Sequence, residues 1–523
     1  MFVRIKKSGP RKYLELVENY RHEGKVRQRV LLNLGRVDFL RDTKAAELVA
    51  VALAKHSDEL AVISTARQEN QSVIWDKEWG TYLVFRRLWH EAGLEQIIKL
   101  KKRGTRCNFD VEKALFYTVL HRLTETGSDL AASKWLEDIY DPEGVKVKYH
   151  HLLRAMGFVE QFKEEIEQEL FLRNRTLFEN SLDLVFFDTT SIYFEGEGPQ
   201  GFAEYGYSKD HRPDRKQIIV GVVMTRAGEP LCCEWWPGNM SDVKTLVDVV
   251  GVLKGRFAIG RVTLVCDKGM VSRENLGKLQ ENEIDYIVGV RLRLLKRVRE
   301  EVLSRGGRYH EVAPNLKVKE VNLGSERYIV CVNPEEARRN AQARRQMVEE
   351  LEGKLKKGAK SLIGNKGYRR YLKIDREAVS LDHDRVKLES RYDGKFVLTT
   401  STNLPAGEVA CAYKSLWQVE CAFRTLKEVL RSRPVFHRSE ANVKGHVFCS
   451  YLALCLLVRL RKLLEERGEV TAWADLIRDL RSFRAMKMEV SGKEYIFRTR
   501  LRGSAHSAFQ AVGQKVPPSV VKL

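Results

Sequence analysis

Three carboxylates fall where this chain could build a metal-dependent phosphoryl-transfer site. Asp188 follows the apolar run Leu184-Val185-Phe186-Phe187, and Asp267 follows Leu264-Val265-Cys266. A buried strand that ends in a carboxylate delivers it to the crevice at the carboxyl edge of an α/β sheet, where such folds bind ligands. Singly, an aspartate at a strand end is more often a turn or cap residue. Two in one sheet suggest the several oxygen ligands that hard cations take from rigid supports. The third carboxylate is Glu420. Tyr413, Glu420 and Lys427 are spaced by seven, so on a helix they drift by only about 20° per step and share one stripe. Arg424 and Arg431 flank it, and Leu416, Val419, Phe423, Leu426 and Leu430 form the apolar face that would dock on the sheet. Taken alone, the stripe also fits an ordinary solvated face with Glu420 in i,i+4 contact with Arg424. Two strands and a helix bearing three carboxylates are what two metal ions roughly 4 Å apart require for an in-line displacement at phosphorus. In that arrangement the central Asp188 bridges, and Asp267 and Glu420 each complete one ion.

Cations stand close to these acids in sequence. Lys427, two turns beyond Glu420, would sit beside the site and reach a phosphate near the cut, with Tyr413 bordering it from the other side; the plainer alternative is that Lys427 pairs with an acidic neighbour. The loop Lys209–Lys216 follows the first aspartate strand and carries His211, Arg212 and Arg215. It reads equally as a solvated loop or as a phosphate contact through Lys209 and Arg212. Other signals carry less. Gly196-Glu197-Gly198-Pro199-Gln200-Gly201 matches a dinucleotide fingerprint, but Pro199 and the following Tyr205-Gly206-Tyr207 argue for extended loop rather than a helix start. His150-His151 and Asp382-His383-Asp384 lie in turn-like stretches without a second ligand cluster, and Cys232-Cys233 reads as buried strand.

The elements that must position these groups follow from periodicity. Residues 1–40 predict a small antiparallel sheet from the runs Phe2–Lys6, Tyr13–Tyr20 and Val26–Leu34, with Gly9-Pro10 and Glu23-Gly24 as turns. The first 36 residues hold ten basic and three acidic side chains, a surface suited to nucleic acid or simply to solvent. Residues 41–180 take a helical period and read as a basic, DNA-binding helical region. From 181 to 290 the pattern becomes three strands, helix, strand, helix, strand, an α/β core with the Asp188 strand central. Residues 291–395 break the rhythm as an insertion with a highly charged helix at Glu335–Lys357. The core resumes over 396–460 with a strand Phe396–Thr400 and a helix from about Glu408 to Leu430. Residues 461–523 form a basic C-terminal region in which Arg498, Arg500 and Arg502 alternate along a strand.

The whole chain bounds what these parts can do. Its 523 residues exceed one ordinary domain. Lys+Arg 91 against Asp+Glu 70 leaves a net charge of +21, which implies an acidic partner, nucleic acid above all. The nine cysteines contain no C-x-x-C pair and read as reduced thiols of a cytoplasmic protein. Met1–Lys7 leads into no apolar signal segment, and the apolar stretch Val447–Val458 falls short of the ~20 residues that span a bilayer, so no membrane partner is expected.

With those residues in view, the chain resembles the DDE transposases of bacterial insertion sequences, in the subgroup with a Tyr-Arg-Glu-Lys signature. The matching pieces are Phe187-Asp188-Thr189-Thr190, Val265-Cys266-Asp267-Lys268-Gly269 and Tyr413…Glu420…Lys427. Gly206-Tyr207-Ser208-Lys209 and Pro237-Gly238-Asn239-Met240-Ser241-Asp242 add context, and the likeness spans about 180–460. The resemblance implies a ribonuclease H-like α/β core with a β-rich insertion between the second aspartate and the glutamate. It further implies two Mg²⁺ (or Mn²⁺) ions on Asp188, Asp267 and Glu420, with DNA contacts from Tyr413, Lys427, Arg424, Lys209 and Arg212. The implied partners are transposon ends and target DNA, engaged as a homodimer, with cleavage at terminal inverted repeats followed by strand transfer. A nuclease on the same fold and a non-catalytic DNA-binding protein are the alternatives. One departure stands out: the signature's arginine position is Leu416, so that if this arginine grips DNA in relatives, either Lys414 or Arg424 substitutes here or the contact is absent. The insertion also lacks tryptophan, so stacking on a flipped base would fall to Tyr309, Tyr328, Tyr368 or Tyr371.

Overall fold

The computed structural model describes residues 2–22, 25–43, 45, 71–174, 184–257, 262–270, 272–355, 369, 371–374, 379–490 and 493–523. Its strands in chain order begin with β1 (Phe2–Ser8), β2 (Arg11–His22), β3 (Lys25–Arg36) and β4 (Gln71–Glu78). Next come β5 (Leu184–Tyr193), β6 (Gln217–Thr225), β7 (Pro230–Pro237), β8 (Thr263–Cys266) and β9 (Asp285–Gly289). Then follow β10 (His310–Ala313), β11 (Leu316–Leu323), β12 (Glu326–Val332), β13 (Leu372–Ile374), β14 (Val379–Leu381) and β15 (Lys395–Thr400). The last are β16 (Arg484–Val490), β17 (Lys493–Arg498) and β18 (Val520–Lys522).

The chain divides into two compact units. One comprises residues 1–87, 134–144 and 463–523. It contains the expected N-terminal sheet, ordered β1-β2-β3, and a second sheet ordered β18-β17-β16-β4. Strand β4 lies inside the stretch read as helical. Its Val73-Ile74-Trp75 core is β-favouring, and its partner β16 lies some four hundred residues away, so no local pattern announces it. Arg500 and Arg502 fall beyond the end of β17 rather than on it.

The other unit, residues 88–133 and 145–462, holds a mixed nine-stranded sheet ordered β10-β11-β12-β15-β9-β8-β5-β6-β7. Strands β5, β8 and β9 are parallel neighbours, and the remaining pairs are antiparallel. Residues from Val185 to Phe187 are fully buried because both faces of β5 are covered. On one face Val185, Phe187, Leu264 and Cys266 pack with Val249 and Leu253 of the helix Asp242–Phe257. On the other, Ile192, Ile218 and Val220 pack with Val443 and Val447 of the helix Glu440–Glu465. That helix absorbs the apolar stretch Val447–Val458, and among the described residues no helix is long and apolar enough to cross a membrane. Cys232 and Cys233 are buried in β7.

The strands of 291–395 are not set apart from this sheet. β12 pairs with β15 from Arg327↔Thr400 to Val332↔Lys395, so β10, β11 and β12 extend the sheet beyond β15. The charged helix runs Pro334–Leu355, and the small β13-β14 hairpin follows it. The helix expected from Glu408 to Leu430 is two helices, Ala406–Lys414 and Trp417–Arg424, followed by a π turn over Thr425–Val429. Ser415 and Leu416 form the break.

Candidate active site

Asp188 and Asp267 emerge side by side. The parallel register pairs Phe187 with Cys266, so the next residue on each path is an aspartate. On the far side of β8, Cys266 pairs with Val288, which sets Gly289 beside Asp267. The Tyr413 hydroxyl donates to Asp267 Oδ1 at 3.0 Å, and its ring stacks on Phe396 of β15 with centroids 5.9 Å apart. A Cβ at Gly289 would overlap that hydroxyl, so this strand position requires glycine for the phenol to approach. Burial, and then the negative charge of Asp267, push the Tyr413 pKa well up, leaving it a neutral donor.

A fourth carboxylate joins them. Asp242 begins the helix Asp242–Phe257 and accepts from the Thr189 hydroxyl at 2.6 Å. Lys209, for which the sequence left a phosphate contact and a solvated loop equally open, turns its ammonium toward the carboxylates. It donates to the Thr189 carbonyl at 2.7 Å and hydroxyl at 2.8 Å, and lies 3.3 Å from Asp242 and 3.8 Å from Asp188. The half-buried carboxylates offer that cation stronger partners than solvent does. Asp188 itself is pushed up to about 6. Burial is the chief cause, Lys209 and the Thr189 N–H oppose it, and the charges of Asp267 and Asp242 add to it. An all-oxygen donor set whose negative charge the Lys209 ammonium offsets only in part fits a hard divalent cation.

Glu420 lies on the helix Trp417–Arg424, which packs against β5 and β6, and its carboxylate is exposed. Its charge reaches the Tyr413 phenol, adding to the upward push there. The five apolar positions of the expected docking face, from Leu416 to Leu430, are all buried, as amphipathicity predicts. Leu416, in the signature's arginine position, is therefore a core residue, while Lys414 and Arg424 are exposed. Lys427 follows in the π turn and donates to Asp210 at 2.6 Å. Arg433 pairs with the same carboxylate oxygen. Arg212 pairs with Asp214 at 2.8 Å, and the guanidinium groups of Arg212 and Arg433 both lie over the Tyr193 ring. Asp242, Asp210, Arg433 and Gly289 are the residues that periodicity missed. Asp242 and Lys209 do stand in the two context motifs quoted above, which was the available signal.

A cavity of about 760 Å³ opens next to Tyr413 and Lys268, walled by Arg291, Arg293, Lys395 and Tyr392 and by the helix Pro334–Leu355. Tyr371 lines it, whereas Tyr328 is buried in the sheet core beside a half-buried Tyr309, and Tyr368 lies outside the described residues. A separate cluster, Asp129, His437 and His446, has ligand-like spacing. Arg122 already supplies its cation, 3.0 Å from His446 Nδ1 and 3.5 Å from Asp129. Burial drives His446 down to about 3, so it is neutral, accepting from Arg122 and donating from Nε2 to the Ser432 carbonyl at 3.0 Å. That cluster is a structural network with its ligand atoms in use.

No curated protein sequence matches the chain significantly. Among solved structures, the synaptic complex of piggyBac transposase with hairpin DNA is similar at 12% identity and a TM-score of 0.41, covering 77% of this chain and 79% of that one. The N-terminal domain of the IS1634 family of transposases matches residues 3–69. The transposase DDE domain matches residues 179–456. This span takes in both aspartate strands, the Asp242 helix and the Glu420 helix. Since it covers more than half of the sequence, the chain belongs to the DDE transposases of bacterial insertion sequences.

Proposed function

We propose that Asp188, Asp267 and Glu420 are the catalytic carboxylates and metal ligands of this transposase, carried on a ribonuclease H-like core within the mixed sheet. The observation that supports the assignment most directly is the pairing of Asp188 and Asp267 at the ends of adjacent parallel strands, with Tyr413 bonded to Asp267. Divalent ions held by the three carboxylates, Mg²⁺ or Mn²⁺, would supply charge stabilisation for the phosphoryl oxygens. The protein's own groups set the geometry. Tyr413 orients Asp267, while Thr189, Asp242 and Lys209 fix the backbone and charge around Asp188. Lys427 and Arg433 offer positive charge to a backbone phosphate, and the exposed Arg424 and the Tyr193-stacked Arg212 extend that surface. Water attacks phosphorus at each transposon end, breaking the bond to a 3′ oxygen, and the freed 3′-hydroxyl then attacks a phosphorus of target DNA in the same site, displacing the 3′ oxygen of the target strand. Two ends to be cut and joined suit a homodimer assembled on DNA.

The test is cleavage and joining of the element's inverted-repeat ends by purified protein in Mg²⁺. Asp188→Ala, Asp267→Ala and Glu420→Ala should each abolish cutting while binding to the ends is retained. Robust cleavage by any one of the three would overturn the assignment, and cutting without joining would mark a nuclease.

A further inference from the structure

The turn between β5 and β6 presents two adjacent, oppositely charged residues to two different parts of the candidate site. Lys209 reaches the Asp188 and Asp242 side, and Asp210 reaches Lys427 and Arg433. The turn is held from several directions. The Ser191 hydroxyl accepts the Lys209 N–H at 2.9 Å, and the Ser208 hydroxyl accepts those of Asp210 and Arg212 at 3.3 and 3.1 Å. His211 takes a left-handed φ of 57°, a conformation that non-glycine residues adopt chiefly at such tight turns.

Asp210 is an unusual acid to find here. Its side chain is only 5% exposed, its Oδ1 collects both cations, and its Oδ2 has no hydrogen-bond partner among the described residues. A buried carboxylate in that state is costly unless its charge is needed. The Lys427 side chain is itself 10% exposed. Burial pulls its pKa down, and the bond to Asp210 opposes that pull. Lys427 and Arg433 converge on one oxygen atom, an approach their mutual repulsion would forbid without an anion between them. The trio keeps a net charge of +1, the complement of one phosphodiester.

We propose that Asp210 is a positioning residue for phosphate recognition, gathering Lys427 and Arg433 into one preorganised cationic pair on the turn whose Lys209 meets Asp188. This rests on the reading of the carboxylate triad as the cleavage site. A rival is that Asp210 merely plugs the phosphate position and is displaced by DNA. The anchoring of the turn opposes that, because a plug must move.

Two measurements on the full chain decide. First, without DNA, amine labelling at pH 8 followed by peptide mass spectrometry should show Lys427 reacting at least about tenfold faster in Asp210→Asn than in wild type, with Lys414 unchanged. Equal labelling of Lys427 would overturn the proposal. Second, in Mg²⁺, Asp210→Asn should slow single-turnover cleavage of pre-bound ends by about thirtyfold or more while end affinity changes less than about threefold. The double variant with Lys427→Ala should be no slower than Lys427→Ala alone, a non-additivity that separates positioning from general destabilisation. Tighter end binding at an unchanged rate would establish the plug instead, and additive losses would assign the residues separate roles. Asp210→Asn keeps the side-chain shape, and a melting curve matching wild type confirms that it folds. Labelling is scored without DNA, so a wild-type chain that leaves its ends uncut would overturn the triad reading while leaving the link between Asp210 and Lys427 standing.

Discussion

Ionised Asp188 is held in the fold against burial and the charges of Asp267 and Asp242. Its pKa of about 6 compares with roughly 3.9 for an unfolded aspartate. The folded state therefore binds the proton more tightly, and the sign follows from linkage. Without metal, the contribution of Asp188 to stability falls as pH rises from about 4 to about 6 and stays lower above that range, by up to about 3 kcal/mol. Asp188→Asn keeps an acceptor for the Thr189 N–H and removes the charge, so at pH 8 without metal it should melt higher than wild type. Wild type should gain thermal stability from Mg²⁺, and the variant should not. Thermal melts with and without Mg²⁺ check both statements, and a variant that melts lower would refute the account of Asp188. At this scale the sequence was informative where a residue ends an apolar run, as Asp188 and Asp267 do. It was silent where the partner lies far off in the chain. Thr189 meets Asp242 across 53 positions and Lys427 meets Asp210 across 217, and no periodicity encodes such pairings.

Among the elements, the strands of the core were readable because burial on both faces gives unbroken apolar runs bounded by turn residues. The strand β15, Lys395–Thr400, differs by one residue from the expected Phe396–Thr400. The break at Ser415-Leu416 was not readable, because a seven-residue spacing continues through it and neither residue is a helix breaker. Tyr413, Glu420 and Lys427 thus sit on three successive short elements rather than on one stripe. Their convergence depends on how each element docks. For Tyr413 the docking partner is β9, through Gly289. Gly289→Ala should force the phenol off Asp267 and slow single-turnover cleavage about ten- to a hundredfold, the range expected for a misplacement of roughly 1 Å. Tyr413→Phe should give a comparable defect, and combining the two should add little. A Gly289→Ala protein that cuts at the wild-type rate would show that the Tyr413–Asp267 bond is dispensable.

For the whole molecule, the +21 net charge is the dominant long-range property. Binding to transposon ends should weaken steeply with salt, with a log–log slope near −0.9 for each phosphate neutralised. The β1-β2-β3 sheet keeps many of its basic side chains exposed, Lys7, Arg11, Lys12, Lys25 and Arg27 among them. Replacing these five with glutamine should flatten the salt slope without altering the cleavage rate of ends already bound. Titrations of end DNA at several salt concentrations would show it, and an unchanged slope would place the DNA-binding charge elsewhere. Composition foretold an acidic partner, yet it could not foretell that part of the excess charge is spent inside the fold. Lys209 on carboxylates and Arg122 in the Asp129 cluster are both cations that never face solvent freely.

The junction of β12 with β15 has a practical meaning for anyone who would shorten this protein. Excising the span between β9 and β15 looks feasible on a linear map, since the flanking strands β9 and β15 pair with each other and would still meet. The truncated sheet, however, would end at β15, whose N–H and C=O groups now bond to β12 from Lys395 to Thr400. That row of unpaired donors and acceptors would become a bare strand edge open to any passing strand, including the same edge of another copy. A compact version would have to bring its own guard for that border, such as a short charged strand or a bulge, or it would be lost to self-association before its chemistry could be assayed.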